Sequence, residues 1–142
     1  MIDWNYSVKR DLQEYADKCD AVESMRETIA QIELSMTGIS SALRGDSSIK
    51  GCGEASDRWL NSIVECDEMK ISLANTEARV HRIARGLDGL PEAEQVLLDR
   101  LYIHHIPFNQ TCAAMGLESS RVYELAKKAL RHLAVRMYGD AV

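Results

Sequence analysis

Apolar residues return every seven positions through the first third of the chain, at Val8, Tyr15, Val22, Ile29, Met36 and Leu43. A second series runs beside them, first as Leu12 and Cys19 and then as Met25, Ile32 and Ile39. Seven residues are close to two helical turns, so both series fall on one narrow stripe, the pattern of a helix packed lengthwise against another. The pattern breaks at Gly45-Asp46-Ser47-Ser48-Ile49-Lys50-Gly51-Cys52-Gly53, where glycine and serine make helix continuation costly. It resumes with Trp59, Cys66, Leu73, Val80 and Leu87 seven apart, flanked by Ile63, Met69, Ile83 and Leu90. The spacing predicts helices over about 4–44 and 55–87 joined by a loop at 45–54, most simply folded back as a long antiparallel helical hairpin of coiled-coil type, or else forming half of an intermolecular bundle. Arg26, Lys70 and Thr76 interrupt the stripes. A hairpin with so narrow an apolar face buries little area, so a partner is expected for it. The simplest is an identical chain, giving a dimer through the N-terminal helices.

After this arm the periodicity changes. Gly86-Leu87-Asp88-Gly89-Leu90-Pro91 predicts a bend, dividing the chain into an arm (1–88) and a C-terminal domain (89–142). Pro91-Glu92-Ala93-Glu94 opens a helix with proline in the first turn and acids at the positive dipole end, and Val96, Leu97, Leu101 and Tyr102 give it a stripe. Ile106-Pro107 stops it. A second helix is predicted from Pro107 or Phe108 to Met115, burying Phe108, Cys112 and Met115. The turn Met115-Gly116-Leu117 needs a residue at positive φ, which Gly116 supplies, and Leu117 is expected to cap the small core. The last helix runs from Ser119 to about Arg136, with Val122, Leu125, Ala126, Ala129, Leu130 and Leu133 inward. The expected class is therefore all-α: a helical hairpin followed by a three-helix domain with the punctuation of a helix-turn-helix.

Charge marks one surface of this domain. The net charge is −5. Residues 1–90 hold 11 bases against 16 acids, whereas residues 91–142 hold 6 of each. Within 119–136 there are five bases, Arg121, Lys127, Lys128, Arg131 and Arg136, and one acid, Glu124. A positive field confined to one helix fits a weak or assisted reader of double-stranded DNA better than a general nucleic-acid packer, which would be basic throughout. In that reading Arg121 and Glu124 stand in the first turns, where side chains reach base edges. Ser119, Ser120, Lys127, Lys128 and Arg131 touch phosphates, and Tyr123 either packs on the first helix of the domain or touches the DNA backbone. The plain alternative is a solvated helix face.

The residues Leu97, Tyr102-Ile103, Ile106, Phe108, Cys112, Met115-Gly116-Leu117, Val122 and Lys128-Ala129-Leu130 resemble, without a gap, region four of bacterial sigma factors, the module that reads the promoter element near minus thirty-five. Asp3-Trp4-Asn5-Tyr6, Lys9-Arg10-Asp11-Leu12, Glu14-Tyr15, Lys50-Gly51-Cys52-Gly53, Asp57, Leu60-Asn61 and Met137-Tyr138-Gly139 resemble phage-encoded sigma-like regulators of Firmicutes prophages, broadly the ArpU and RinA types. The resemblance implies a sequence-specific regulator of phage genes in the bacterial cytoplasm, with host RNA polymerase as a further candidate partner. The chain departs from the region-four pattern at His105, where glycine is usual, at Pro107 and Gln110, and at Glu118 in the usual capping-serine position. Two other readings fit the same layout: a small terminase-like DNA-packaging subunit, and a coiled-coil adaptor without DNA binding.

Catalytic chemistry finds no foothold. His104-His105 with Cys112 offers metal-ligand types, but adjacent histidines at a helix end do not face one point. Asp67-Glu68 reads as a solvated face, and Gly51-Cys52-Gly53 lacks the lysine and hydroxyl of a phosphate-binding loop. The four cysteines have no metal-type spacing, and neither cofactor nor metal is expected. No apolar run approaches the roughly 20 residues of a membrane span.

Overall fold

Asp3 starts the first helix by accepting a hydrogen bond from the Tyr6 amide on its side chain (3.2 Å), while its carbonyl accepts from Ser7 N–H (3.0 Å). From there α1 spans Trp4–Gly45 and α2 spans Ile49–Asp88. The computed structural model of the chain describes the backbone of residues 1–45 and 49–142 and the side chains of 1–38, 54 and 56–142. Three shorter helices follow: α3 (Glu92–Leu98), prolonged by a π-helical turn (Asp99–Ile103), then α4 (Phe108–Met115) and α5 (Ser119–Tyr138). The fold is all-helical, with no strand among the described residues.

Part of the segment expected as a loop at 45–54 is helical. Residues 49–53 are helical, and 46–48 lie outside the described residues. Each helical glycine costs about 1 kcal/mol relative to alanine, but no proline stands there to remove an amide, so a long helix can extend through the segment.

Residues group into two compact units, one of 20–77 and one of 1–19 with 78–142. In the first, Val22, Ile29 and Cys66 are buried on the seven-residue stripes. Arg26 pairs with Glu77 at 2.7 Å and Lys70 with Glu33 at 3.2 Å. Partner numbers fall on α2 as they rise on α1, so the two helices are antiparallel here. Both pairs are solvent-exposed, and such pairs contribute little. Two of the expected stripe interruptions, Arg26 and Lys70, are thus used as cross-links at the edge of the seam.

Among the described residues the second unit carries the larger core. Val8 and Leu12 of α1, Ile83 of α2, Leu90, Leu98, and Ala129, Leu130, Leu133 and Ala134 of α5 form one buried cluster. Leu97, Cys112, Val122 and Ala126 form another. Full burial of one such leucine contributes about 1.5–3 kcal/mol. Trp4 stacks at 4.8 Å on Tyr138, whose hydroxyl donates to Asp11 at 2.7 Å, so the start of α1 and the end of α5 are tied together.

Several expectations about faces are corrected. Val96 is exposed while Leu97 and Leu98 are fully buried, and Phe108 lies at the surface while Thr111 and Cys112 face inward. Thr111 can be buried because its hydroxyl donates to the Pro107 carbonyl at 3.3 Å. Leu117 is exposed rather than capping the core. The bend expected over Gly86–Pro91 is confined to Gly89–Leu90. Gly86 lies within α2, buried, where an added Cβ would stand 2.8 Å from Leu133 Cδ1. It is small for packing rather than for flexibility.

The end of α2 is fully sealed. Arg136 donates from Nε to Gly86 O (2.9 Å) and from Nη2 to Arg85 O (3.3 Å), Leu90 N–H donates to Leu87 O (3.0 Å), and Gln95 Nε2 donates to Asp88 O (3.2 Å). All four carbonyls left without partners by helix termination therefore find donors.

Between α3 and α4 the chain widens and reverses. His104 N–H donates to Asp99 O (2.9 Å) and Ile106 N–H to Arg100 O (2.8 Å), after which His105 takes φ 54°. A side chain in this left-handed region costs roughly 1–2 kcal/mol. His105→Gly is expected to hold or raise the thermal midpoint, and His105→Val to lower it by several degrees; a loss with glycine would show that the histidine makes a compensating contact.

Alkaline pH should unfold this unit selectively. Burial, the largest cause, holds the phenols of Tyr102 and Tyr138 above the ordinary value of 10.0, and for Tyr138 the bond to Asp11 adds to it. The folded chain keeps these protons where the unfolded chain releases them, so stability present below pH 10.0 is lost as pH rises towards the folded values. Denaturant midpoints measured across this range should fall for the parent and fall less steeply for Tyr138→Phe.

Candidate nucleic-acid interface

Gly116, at φ 66°, ends α4 in the left-handed conformation, and its amide and that of Leu117 turn back to Ala113 and Cys112 carbonyls. Glu118 then adopts extended backbone and begins α5 through its carbonyl, which accepts from Val122 N–H at 3.0 Å. Its side chain makes no capping bond. Neither Ser119 nor Ser120 caps the helix; both lie inside its first turn, so the amides of Ser119, Ser120 and Arg121 remain directed out of the helix end. No serine hydroxyl caps these amides, and Glu118 stands beside them at the N-cap position.

One side of α5 is consumed by the core, which leaves the opposite side to the charged residues. Ser119, Ser120, Arg121, Tyr123, Glu124, Lys127, Lys128 and Arg131 are all exposed, Tyr123 by 66%. Helical spacing places Arg121, Glu124, Lys128 and Arg131 on one outward strip, with Tyr123 and Lys127 along its edge. Among the described residues none of Arg121, Lys127, Lys128 and Arg131 stands in an ion pair. Glu124, Lys127, Lys128 and Arg131 line one shallow depression of about 430 Å³ together with Asn5 of α1. Ser119, Ser120 and Arg121 are not part of that depression; they occupy the far end of the strip.

Two basic residues of α5 have other work. Arg136, counted in the helix's positive field, is spent on the last carbonyls of α2. His132 Nδ1 lies 3.0 Å from Glu94, whose carboxylate is buried. Both sit nearer Ala129 and Leu133 on the helical wheel than Lys128 does, and that was the available signal. Glu94 therefore serves as an internal hydrogen-bonding partner in addition to its place in the first turn of α3.

What the sequence did not assign to this surface is the beginning of α1. Asn5, Lys9 and Gln13 line a groove of about 640 Å³ whose other wall includes Tyr102, Phe108, Tyr123 and Lys127. Lys9 Nζ is 5.7 Å from the centre of the Tyr102 ring. The spacing of four in Asn5, Lys9 and Gln13 is legible in the sequence, but it was overshadowed by the seven-residue repeat next to it.

Chemically the surface offers exposed cations, hydroxyls and amides with the carboxylates of Glu118 and Glu124, a set suited to hydrogen bonds with phosphate oxygens and base edges. His104 Nδ1 pairs with the Asp99 carboxylate at 3.1 Å, and among the described residues no three His, Cys, Asp or Glu side chains gather to hold a metal ion. No described helix is long and apolar enough to cross a membrane. Comparisons with protein-family models, curated proteins and solved structures gave no match.

Proposed function

We propose that the chain is a sequence-specific DNA-binding transcriptional regulator of phage genes, resembling sigma region four, with α4 and α5 acting as a helix-turn-helix and α5 entering the major groove. The observation that carries this reading is the outward strip of the helix that follows the Gly116 turn, where Arg121, Lys128 and Arg131 stand exposed and, among the described residues, in no ion pair. A solvated face would need no such placement; a reader needs cations at the flanks of the inserted helix and adaptable side chains in its first turns. The amides at the start of α5 supply further donors for phosphate. His105 at positive φ keeps the turn conformation for which region four ordinarily uses glycine. The antiparallel helices of the arm set the oligomeric state, a dimer being the simplest form, or contact host polymerase.

Binding of the intact chain to duplex DNA as salt is raised tests this directly. Three phosphate contacts from α5, by Lys127, Lys128 and Arg131, contribute about −2.7 to the expected slope of log affinity against log salt. A flat dependence would remove DNA as the ligand and leave the adaptor reading.

A further inference from the structure

We propose that the first turns of α1 form a second wall of the duplex-binding surface, with Lys9 neutralising a phosphate and Asn5 and Gln13 donating hydrogen bonds to the same strand. This rests on the DNA reading of α5 and extends it to a part of the chain that the seven-residue repeat assigned to packing alone.

Asn5, Lys9 and Gln13 are four residues apart, so they lie in a row along one face of the helix. That face adjoins the packing face, where Val8 and Leu12 are fully buried. The row borders the groove opposite Tyr123 and Lys127, the edge of the α5 strip. Asn5 also borders the depression that contains Lys128 and Arg131, so the cationic surface of α5 continues onto α1 without a break. Lys9 and Gln13 are exposed, and among the described residues Lys9 has no carboxylate partner. Its ammonium stands over the Tyr102 ring, a contact that leaves its protons able to donate.

The charge balance decides the occupant. Two carboxylates border these hollows, Asp3 and Glu124, and Asp3 is already engaged with the Tyr6 amide. Lys9, Lys127, Lys128 and Arg131 outnumber them. A helix seated in a major groove has a phosphate strand along each flank, and the Tyr123–Lys127 flank is the one that faces α1. The duplex backbone is the polyanion that would run along such a row, and contacts of this kind fix position without reading sequence.

The test uses the full chain and a random-sequence duplex in fluorescence anisotropy, over about 50–200 mM salt. Lys9→Ala, checked for parent-like helicity by circular dichroism, should reduce the magnitude of the salt slope by about 0.9 and weaken binding alike on every sequence. Asn5→Ala with Gln13→Ala should weaken binding with the slope unchanged, because neither carries charge. Arg10→Ala is the control: its guanidinium lies 3.8 Å from Glu14 and does not border the groove, so the slope should match the parent's. A parent-like slope for Lys9→Ala, or an equal fall for Arg10→Ala, overturns the proposal even while the parent binds and Lys128→Ala lowers the slope. A parent without salt-dependent binding overturns the DNA reading and this inference with it.

Discussion

Gly86→Val is expected to lower folding stability by roughly 1–3 kcal/mol, the usual cost of forcing added carbons into a packed core. A Cβ at this position meets Leu133 Cδ1 at 2.8 Å and Met137 Cγ at 3.2 Å. Leu133 is fully buried and has no open side to which it can swing. Alanine brings an opposing gain of about 0.5–1 kcal/mol in helix propensity, so Gly86→Ala should cost less than valine, whose branching forfeits that gain. The relationship can be measured as a coupling. Leu133→Ala alone should cost about 2–5 kcal/mol, and the pair Gly86→Ala with Leu133→Ala should cost less than the two single changes added, because the new methyl group fills part of the vacated space. Strict additivity in urea denaturation would show that the two residues do not share that space.

The second large effect concerns DNA. Arg121→Ala should weaken binding to a preferred sequence by about 1–3 kcal/mol, five-fold to more than a hundred-fold, while affinity for random sequence changes little. Lys128→Ala should act differently, weakening all sequences together and cutting the salt slope by about 0.9. Both side chains are exposed and neither supports the core, so circular dichroism should show parent-like folding. If the double variant, so folded, binds promoter fragments as the parent does, α5 is not the reading helix.

The sequence made the helical class and the limits of α4 and α5 legible because each rests on strong local chemistry: the proline openings, Gly116, and an apolar face on α5 wide enough to need no tertiary information. The seven-residue stripes likewise located Val22, Ile29 and Cys66 in the arm. Faces of short helices were harder to read. Val96 and Leu101 stand five apart, about 140° on an α-helix, so Leu97 and Leu98 rather than Val96 take the buried side of α3. Phe108 was assigned to the core on hydrophobicity, whereas Thr111, with its carbonyl partner at Pro107, takes the buried place. Long-range partnerships left little trace: nothing local to Arg136 announces that its donors serve carbonyls about fifty positions earlier, and nothing local to Asn5 announces Lys128.

The sealed end of α2 determines where this protein tolerates being divided. Cutting after Asp88, the point that composition suggests, would strip Arg85, Gly86 and Asp88 of the donors from Gln95 and Arg136 and uncover Ile83 to water. It would also part Val8 and Leu12 from the leucines of α5. A shortened protein that preserved these closures would retain residues 1–19 alongside 78–142, bridging positions 19 and 78 with an artificial linker in place of the intervening segment.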